Sequence, residues 1–362
     1  MIFELLKLCY EKGASDLHFK VGYPPVLRID GSMIPMKKMP VITEIDFDAM
    51  LEAILDDYQL VKFKEHNKLD LGYSFVNTRF RVNLFYDFHG GNAVFRMIPF
   101  QNLSFDDIGL PKAGRNLIEH LHGLILITGA TGAGKSTTLS ALISHINNTR
   151  KKSIITIEDP IEYIFSDNQS LISQRQVGVD CSSFEVGIRG ALQTDADIIM
   201  VGELRGTGAV EMTLMAAESG KLVLATLHSN TSIQAIDRFV NLFPLAQQPQ
   251  IMSRLSTSLV GIVTQALIPR KMAKGRIAAF EVLVATSNIR SLIADNRMHM
   301  INSYQEAGGD TGMCTLDQSL AMLISQGKVT TDEAMIRSTN PNLLKKHLDQ
   351  HSASDETGGK RQ

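Results

Sequence analysis

The sequence predicts an α/β protein: a parallel sheet buried on both faces, preceded by a smaller α+β domain and followed by a helical region. Two observations carry this. Between residues 112 and 270, short apolar runs alternate with longer helical stretches, the texture of strands covered by helices on either side. Before residue 100, short segments instead alternate apolar with polar residues, the period-two signature of half-buried strands.

Taken in order, residues 3–10 place apolar side chains at helical spacing, and Gly13 ends that helix. Asp16-Leu17-His18-Phe19, Val26-Leu27-Arg28-Ile29 and the stretch 80–85 then read as strands, with Asp30-Gly31 and Gly90-Gly91 as hairpin-turn signals. Residues 1–99 therefore form a small α+β domain with an antiparallel sheet. The segment 100–111, with Asp106-Asp107, Gly109 and Pro111, reads as a linker or hinge. The larger domain, 112–270, contributes the buried strands 124–127, 154–157, 198–201 and 222–225. From 271 to 350 the stretches 287–294, 316–326 and 331–337 read as helices. The tail, 351–362, is polar and Gly/Ser-rich and reads as disordered.

Composition narrows the function classes. At 362 residues the chain has room for two to three domains of ~150 residues. With 44% apolar and 20% charged residues it is neither a disordered chain nor a membrane bundle. A net charge of −2 leaves no electrostatic footprint for nucleic acid. Cys9, Cys181 and Cys314 are far apart, which excludes a four-cysteine zinc site and a disulfide framework and fits a reducing compartment. The first residues lack a basic stretch before an apolar core, and no apolar run approaches the ~18 residues of a membrane span. The expectation is a soluble, cytoplasmic protein.

The sharpest chemical signal is Gly129-Ala130-Thr131-Gly132-Ala133-Gly134-Lys135-Ser136, which fits G-x-x-x-x-G-K-[ST] and sits between an apolar strand and a helix. Glycines let backbone N–H groups converge on a phosphate at the positive end of the helix. Lys135 can reach the β- and γ-phosphates, and Ser136 offers its hydroxyl to Mg²⁺. Gly129, Thr131, Gly132, Ala133, Gly134, Lys135, Ser136 and Thr137 are therefore the candidate nucleotide-binding residues.

Two later strands end in acids: the apolar run 198–201 leads to Glu203, and 154–157 leads to Glu158, Asp159 and Glu162. Ligands of open α/β sheets bind at the carboxyl ends of strands, so one of these carboxylates is the natural base or water-positioner for hydrolysis. Acids capping the next helix are the competing explanation. The run 222–227 ends in His228, which by itself reads as a hydrogen-bonded structural histidine.

In combination, GATGAGKST (129–137), TIEDPIEY (156–163), DIIMVGELR (197–205) and AAESGKLVLATLHSN (216–230) resemble the secretion-superfamily ATPases, and more narrowly the type IV pilus retraction ATPases, PilT and PilU. The resemblance extends over residues 1–337, including Gly13 to His18, Arg79 to Asn83, Ala93 to Pro99 and Gly312 to Asp317. It implies a PAS-like domain for 1–99, a RecA-like core for 112–270, and a homohexamer with ATP held between one core and a neighbouring PAS-like domain. By motif position Glu162 would be the catalytic base, Glu203 the Walker B acid near Mg²⁺, and His228 a residue near the γ-phosphate. Arg81 and Arg96 match basic residues that reach bound nucleotide and act as arginine fingers. The implied partners are an inner-membrane pilus platform protein, which would make the protein peripheral at that membrane, and a paralogous retraction ATPase.

The sequence also departs from the family pattern. Gly206-Thr207-Gly208-Ala209 replaces an acid and puts two glycines after Arg205, which would loosen the start of the next helix at about 0.8–1.0 kcal/mol each relative to alanine where they are helical. Glu218-Ser219-Gly220-Lys221 lacks one of two family histidines, and Gln193 and Ala294-Asp295 replace charged family residues. None of these touches Lys135, Ser136, Glu162 or Glu203. The readings left open are a retraction motor, an accessory PilU-like ring with weak hydrolysis dependent on a partner ATPase, and an assembly ATPase. The last branch usually carries paired Cys-x-x-Cys motifs, which this chain lacks. A DNA-translocating motor draws little support from 6% aromatics and no tryptophan.

Overall fold

The computed structural model describes every residue except Asp30, Asn77, Lys274, Gly309, Asp310 and the stretches 99–102 and 359–362; over 351–358 it describes the backbone. The turn signal at Asp30, the start of the expected linker and the end of the expected tail thus lie outside the described residues. The chain forms two units. One is Met1–Gln101 with Pro160–Phe165; the other is Asn102–Asp159 with Ser166–Gln362.

The first unit runs α1 (Ile2–Glu11), β1 (Asp16–Lys20), β2 (Val26–Ile29), β3 (Ser32–Pro35), α2 (Glu44–Ile54), α3 (Asp57–His66), β4 (Lys68–Phe75), β5 (Thr78–Asp87) and β6 (Gly90–Ile98). The strands make an antiparallel sheet in the order β3-β2-β1-β6-β5-β4. Helices α2 and α3 start where they do because Thr43 with Asp46, and Asp56 with Gln59, form reciprocal capping boxes. Along β5 the residues Phe80, Val82 and Leu84 are buried, and with Phe95, Phe47, Phe63, Leu5 and Leu6 they build the core. Each such side chain contributes about 1.5–3 kcal/mol when removed from water. The pleat sends Arg79, Arg81 and Asn83 to the other face. Pairing then sets Arg81 opposite Arg96, and Arg96 opposite Asp16.

The second unit opens with α4 (Phe105–Ile108), capped by Ser104 and Asp107, and α5 (Lys112–Asn116). Part of the expected linker is therefore helical. There follow β7 (Gly123–Thr128), α6 (Lys135–Thr149), β8 (Ser153–Glu158), β9 (Leu171–Gln176), α7 (Phe184–Leu192), β10 (Ile198–Val201), α8 (Gly206–Glu218), β11 (Leu222–Leu227), α9 (Ser232–Asn241), α10 (Gln248–Ser258), β12 (Leu259–Pro269) and β13 (Arg276–Val284). The sheet order is β13-β12-β7-β11-β10-β8-β9, parallel except for β13. Every residue of β7, β10 and β11 is buried, which is why these strands read as continuous apolar runs.

The region from 271, expected to be helical as a whole, is not so throughout. It begins with β13, which pairs with β12 over nine residues and continues the core sheet past 270. Its buried stretch lacks the alternation that marks a one-sided strand. After it come α11 (Ser287–Ala294), α12 (Ile301–Ala307), α13 (Leu316–Ser325), α14 (Thr331–Arg337) and α15 (Pro341–Gly358). Threonines at 286, 315 and 330 cap α11, α13 and α14 through their hydroxyls. Helix α15 passes residue 351, where the sequence reads as a disordered tail, and runs to Gly358.

Candidate nucleotide-binding site

The loop 129–134 joins β7 to α6 at the carboxyl edge of the parallel sheet. Its glycines are structural necessities. Gly129 has φ +146°, and a Cβ there would lie 2.5 Å from the Gln265 carbonyl oxygen; Gly134 has φ +91°. Only glycine occupies such conformations without strain while another backbone passes this close. Strand β12 braces the loop from below. Thr264 shares a 2.7 Å hydrogen bond with Thr128, Gln265 Nε2 donates to the Ala133 carbonyl at 2.6 Å, and Thr138 donates to Gln265 Oε1 at 2.8 Å.

Lys135, nearly buried, donates to the carbonyls of Gly129 (2.9 Å) and Ala130 (3.0 Å) and to Nδ1 of His228 (3.2 Å). An ammonium has no acceptor capacity, so Nδ1 is the unprotonated nitrogen and Nε2 carries the ring proton. Nε2 faces Glu203 Oε1 at 3.1 Å, and Glu203 Oε2 holds Arg205 at 2.7 Å. Arg205 in turn lies 3.9 Å from Asp159. Burial lowers the His228 pKa, the charge of Lys135 adds to this, and Glu203 opposes it. Burial pushes Glu203 up, but the Arg205 hydrogen bond and the charges of Arg205, His228 and Lys135 outweigh it and hold the carboxyl below its ordinary value. Glu203 is therefore an anion at neutral pH beside a neutral imidazole.

The chain thus gathers the loop residues Gly129, Thr131, Gly132, Ala133, Gly134, Lys135, Ser136 and Thr137 with Glu203 and His228. An opening of about 440 Å³ lies beside them, lined by Thr131, His228, Asn230, Gln234 and Arg238. Of the other acids, Glu158 is buried and held by Thr156 (2.7 Å) and Gln174 (3.1 Å). Glu162 belongs to the first unit, where it lies 4.0 Å from Arg81; Arg81 also holds Asp70 at 2.7 Å. Arg96 holds the buried Asp16 at 2.9 Å. Sequence reasoning missed Thr128, Thr138, Thr264 and Gln265. For Thr264 and Gln265 the signal was present as polar residues inside an otherwise apolar buried stretch; Thr128 ends such a run, and Thr138 follows the polar run 135–137 with no such mark.

The donor chemistry fits Mg²⁺: the Ser136 hydroxyl and the Glu203 carboxylate are hard oxygen donors of the kind that ion takes. Among the described residues no group of three or more His, Cys, Asp or Glu side chains forms a metal cage. One or two protein oxygens plus substrate phosphates and waters is how Mg²⁺ is commonly held.

A phosphate cradle at the edge of a parallel sheet, with a histidine joining its lysine to an acid, defines a P-loop nucleoside triphosphatase with a RecA-like core. The model of the type II/IV secretion system protein family matches residues 2–336. The chain belongs to that family. It is 38% identical to the type IV pilus retractation ATPase PilT of Pseudomonas aeruginosa, over 94% of this chain and 98% of that one. It is 36% identical to the type IV pilus ATPase PilU of the same organism, over 98% of this chain and 93% of that one. The crystal structure of the pilus retraction motor PilT with bound ADP superposes with a TM-score of 0.89 at 40% identity, covering 95% of this chain and 99% of that one.

Proposed function

We propose that the protein is an ATP-hydrolysing motor for type IV pilus retraction, working as a homohexamer at an inner-membrane platform protein. The observation that carries this is the Lys135–His228–Glu203 arrangement at the phosphate loop, together with near-full-length similarity to PilT. The first unit takes the PAS-like role in this reading.

Each residue then has a chemical task. Loop N–H groups and Lys135 bind the β- and γ-phosphates, and Ser136 and Glu203 hold Mg²⁺. When bound, Mg²⁺ neutralises charge developing on the transferring phosphoryl group. Glu162 takes a proton from the attacking water as its oxygen bonds to the γ-phosphorus and the bond to ADP breaks. Arg81 and Arg96 supply positive charge to that transition state as arginine fingers.

The test is Mg²⁺-dependent ATP hydrolysis by the purified chain and by Glu162→Gln, with native mass measured on the same samples. Turnover by a hexamer that disappears in the variant supports the motor and its base. Undiminished turnover in Glu162→Gln removes that residue from the mechanism, and a monomer with ATP analogue bound removes the ring. A second reading is a PilU-like accessory ring, favoured by the Gly206–Ala209 departure and the full-length match to PilU. A hexamer that binds ATP yet barely turns over would select it.

A further inference from the structure

A carboxylate in the wall of the cavity that also borders loop residues 130–133 is buried where packing alone would call for an apolar side chain. Glu281 lies on β13 between the buried Phe280 and Val282 and is 4% exposed. It stands opposite Thr264 of β12, which stands opposite Thr128 of β7, the residue just before the phosphate loop. The Glu281 carboxylate accepts from the backbone N–H of Ser232, the first residue of α9, at 2.7 Å. Ser232 Oγ lies 3.4 Å from Thr264 Oγ1, which shares its 2.7 Å bond with Thr128. A row of buried polar groups thus crosses three strands, from β13 to the foot of the loop.

Burying an acid is costly unless it is hydrogen-bonded, and an acceptor at a helix N-terminus is where that cost is best offset. The consequence falls on residues 228–231. This loop begins at the end of β11 and terminates at the N–H that Glu281 holds. Arg238 also donates to the His228 carbonyl at 2.7 Å. On the far side, Gln305 of α12 donates to the carbonyls of Val282 (3.2 Å) and Cys314 (3.0 Å), tying the C-terminal helices to the same strand.

We infer that Glu281 is a positioning residue. It fixes the start of α9, and so sets His228 against Lys135 and Glu203. Its kinetic consequence rests on the proposed ATPase reading; its effect on the loop does not.

The experiment compares Glu281→Leu, which removes the acceptor, with Glu281→Gln, which keeps an acceptor oxygen. Ser232→Pro removes the N–H from the other side. Proline is accommodated at a first helical position, and Thr231 before it is extended (φ −141°, ψ 160°), as a residue preceding proline should be. Each full-length variant is assayed for ATP turnover, affinity for a fluorescent ADP analogue, and amide exchange over residues 228–235.

Glu281→Leu and Ser232→Pro should lower kcat by about ten- to a hundredfold, leave analogue affinity within about threefold, and speed exchange over the loop by roughly tenfold. Glu281→Gln should restore kcat and protection. Wild-type kcat and exchange in both disrupting variants would overturn the inference, as would loss of analogue affinity in step with kcat. Should Glu281→Leu not fold, Ser232→Pro decides. Should the wild-type chain not hydrolyse ATP, the functional reading fails and the exchange measurement decides the inference alone.

Discussion

The Lys135 ammonium stands 3.2 Å from Nδ1 of His228 and thereby fixes which ring nitrogen carries the proton. The other nitrogen is left to face Glu203 at 3.1 Å, so one imidazole joins the lysine of the glycine-rich loop to the acid at the end of β10. Replacing His228 with alanine should lower turnover by about ten- to a hundredfold. A rate within about twofold of wild type would remove His228 from the site's working parts.

The same contact sets a pH dependence. The fold lowers the His228 pKa from its ordinary 6.5, through burial first and Lys135 second, and so favours the neutral ring. Its contribution to stability is complete above 6.5 and is lost as pH falls through the depressed value. Protonation of Nδ1 also removes the acceptor that Lys135 uses. Turnover should be level above pH 6.5 and decline on the acid side below it. An identical acid limb in His228→Ala would assign the decline to another group.

Gln265 uses both ends of its amide to hold the phosphate loop, on Ala133 and on Thr138. Gln265→Leu leaves a buried carbonyl and a buried hydroxyl without that partner, a loss of about 1–3 kcal/mol. Urea unfolding should show a lower midpoint, and affinity for a fluorescent ADP analogue should fall. Retained affinity would mean that the loop holds its shape without β12.

In the first unit, burial pushes Asp16 up, but hydrogen bonds from Ser15 and Arg96 and the charges of Arg96 and His18 hold it below its ordinary 3.8. Stability from this carboxylate is present above that ordinary value and is lost as pH falls through the depressed one. Arg96→Ala removes part of the depression, so acid unfolding should begin at higher pH. An acid titration followed by circular dichroism with an unchanged onset would contradict this.

The two glycines after Arg205 should behave in opposite ways. Gly206 has φ +77°, which an alanine adopts only under strain, so Gly206→Ala should cost about 1–3 kcal/mol. Gly208 lies inside α8, and a Cβ there would meet the carboxylate of Glu185, the half-exposed end of a flexible side chain that pairs with Arg189 at 2.8 Å and can turn aside. Gly208→Ala should therefore stabilise by up to about 1 kcal/mol. Thermal melts of the two variants that shift in the same direction would refute the distinction.

By itself the sequence determined what is local or periodic. Buried parallel strands announced themselves as apolar runs because both of their faces are covered. The phosphate loop was legible because glycines, lysine and serine must stand at fixed spacing between a strand and a helix. Glu203 and His228 were readable as strand-end residues. Only the tertiary structure decided that His228 bridges Lys135 to Glu203, because that depends on β7, β10 and β11 lying side by side. It also decided that Glu158 is occupied by Thr156 and Gln174, while Glu162 meets Arg81 in the first unit. Strand β13 and the braces Thr264 and Gln265 escaped notice for the same reason. A polar residue in a buried strand takes its meaning from its neighbour in the sheet, and that neighbour is far away along the chain: Thr128 and Thr264 are 136 residues apart.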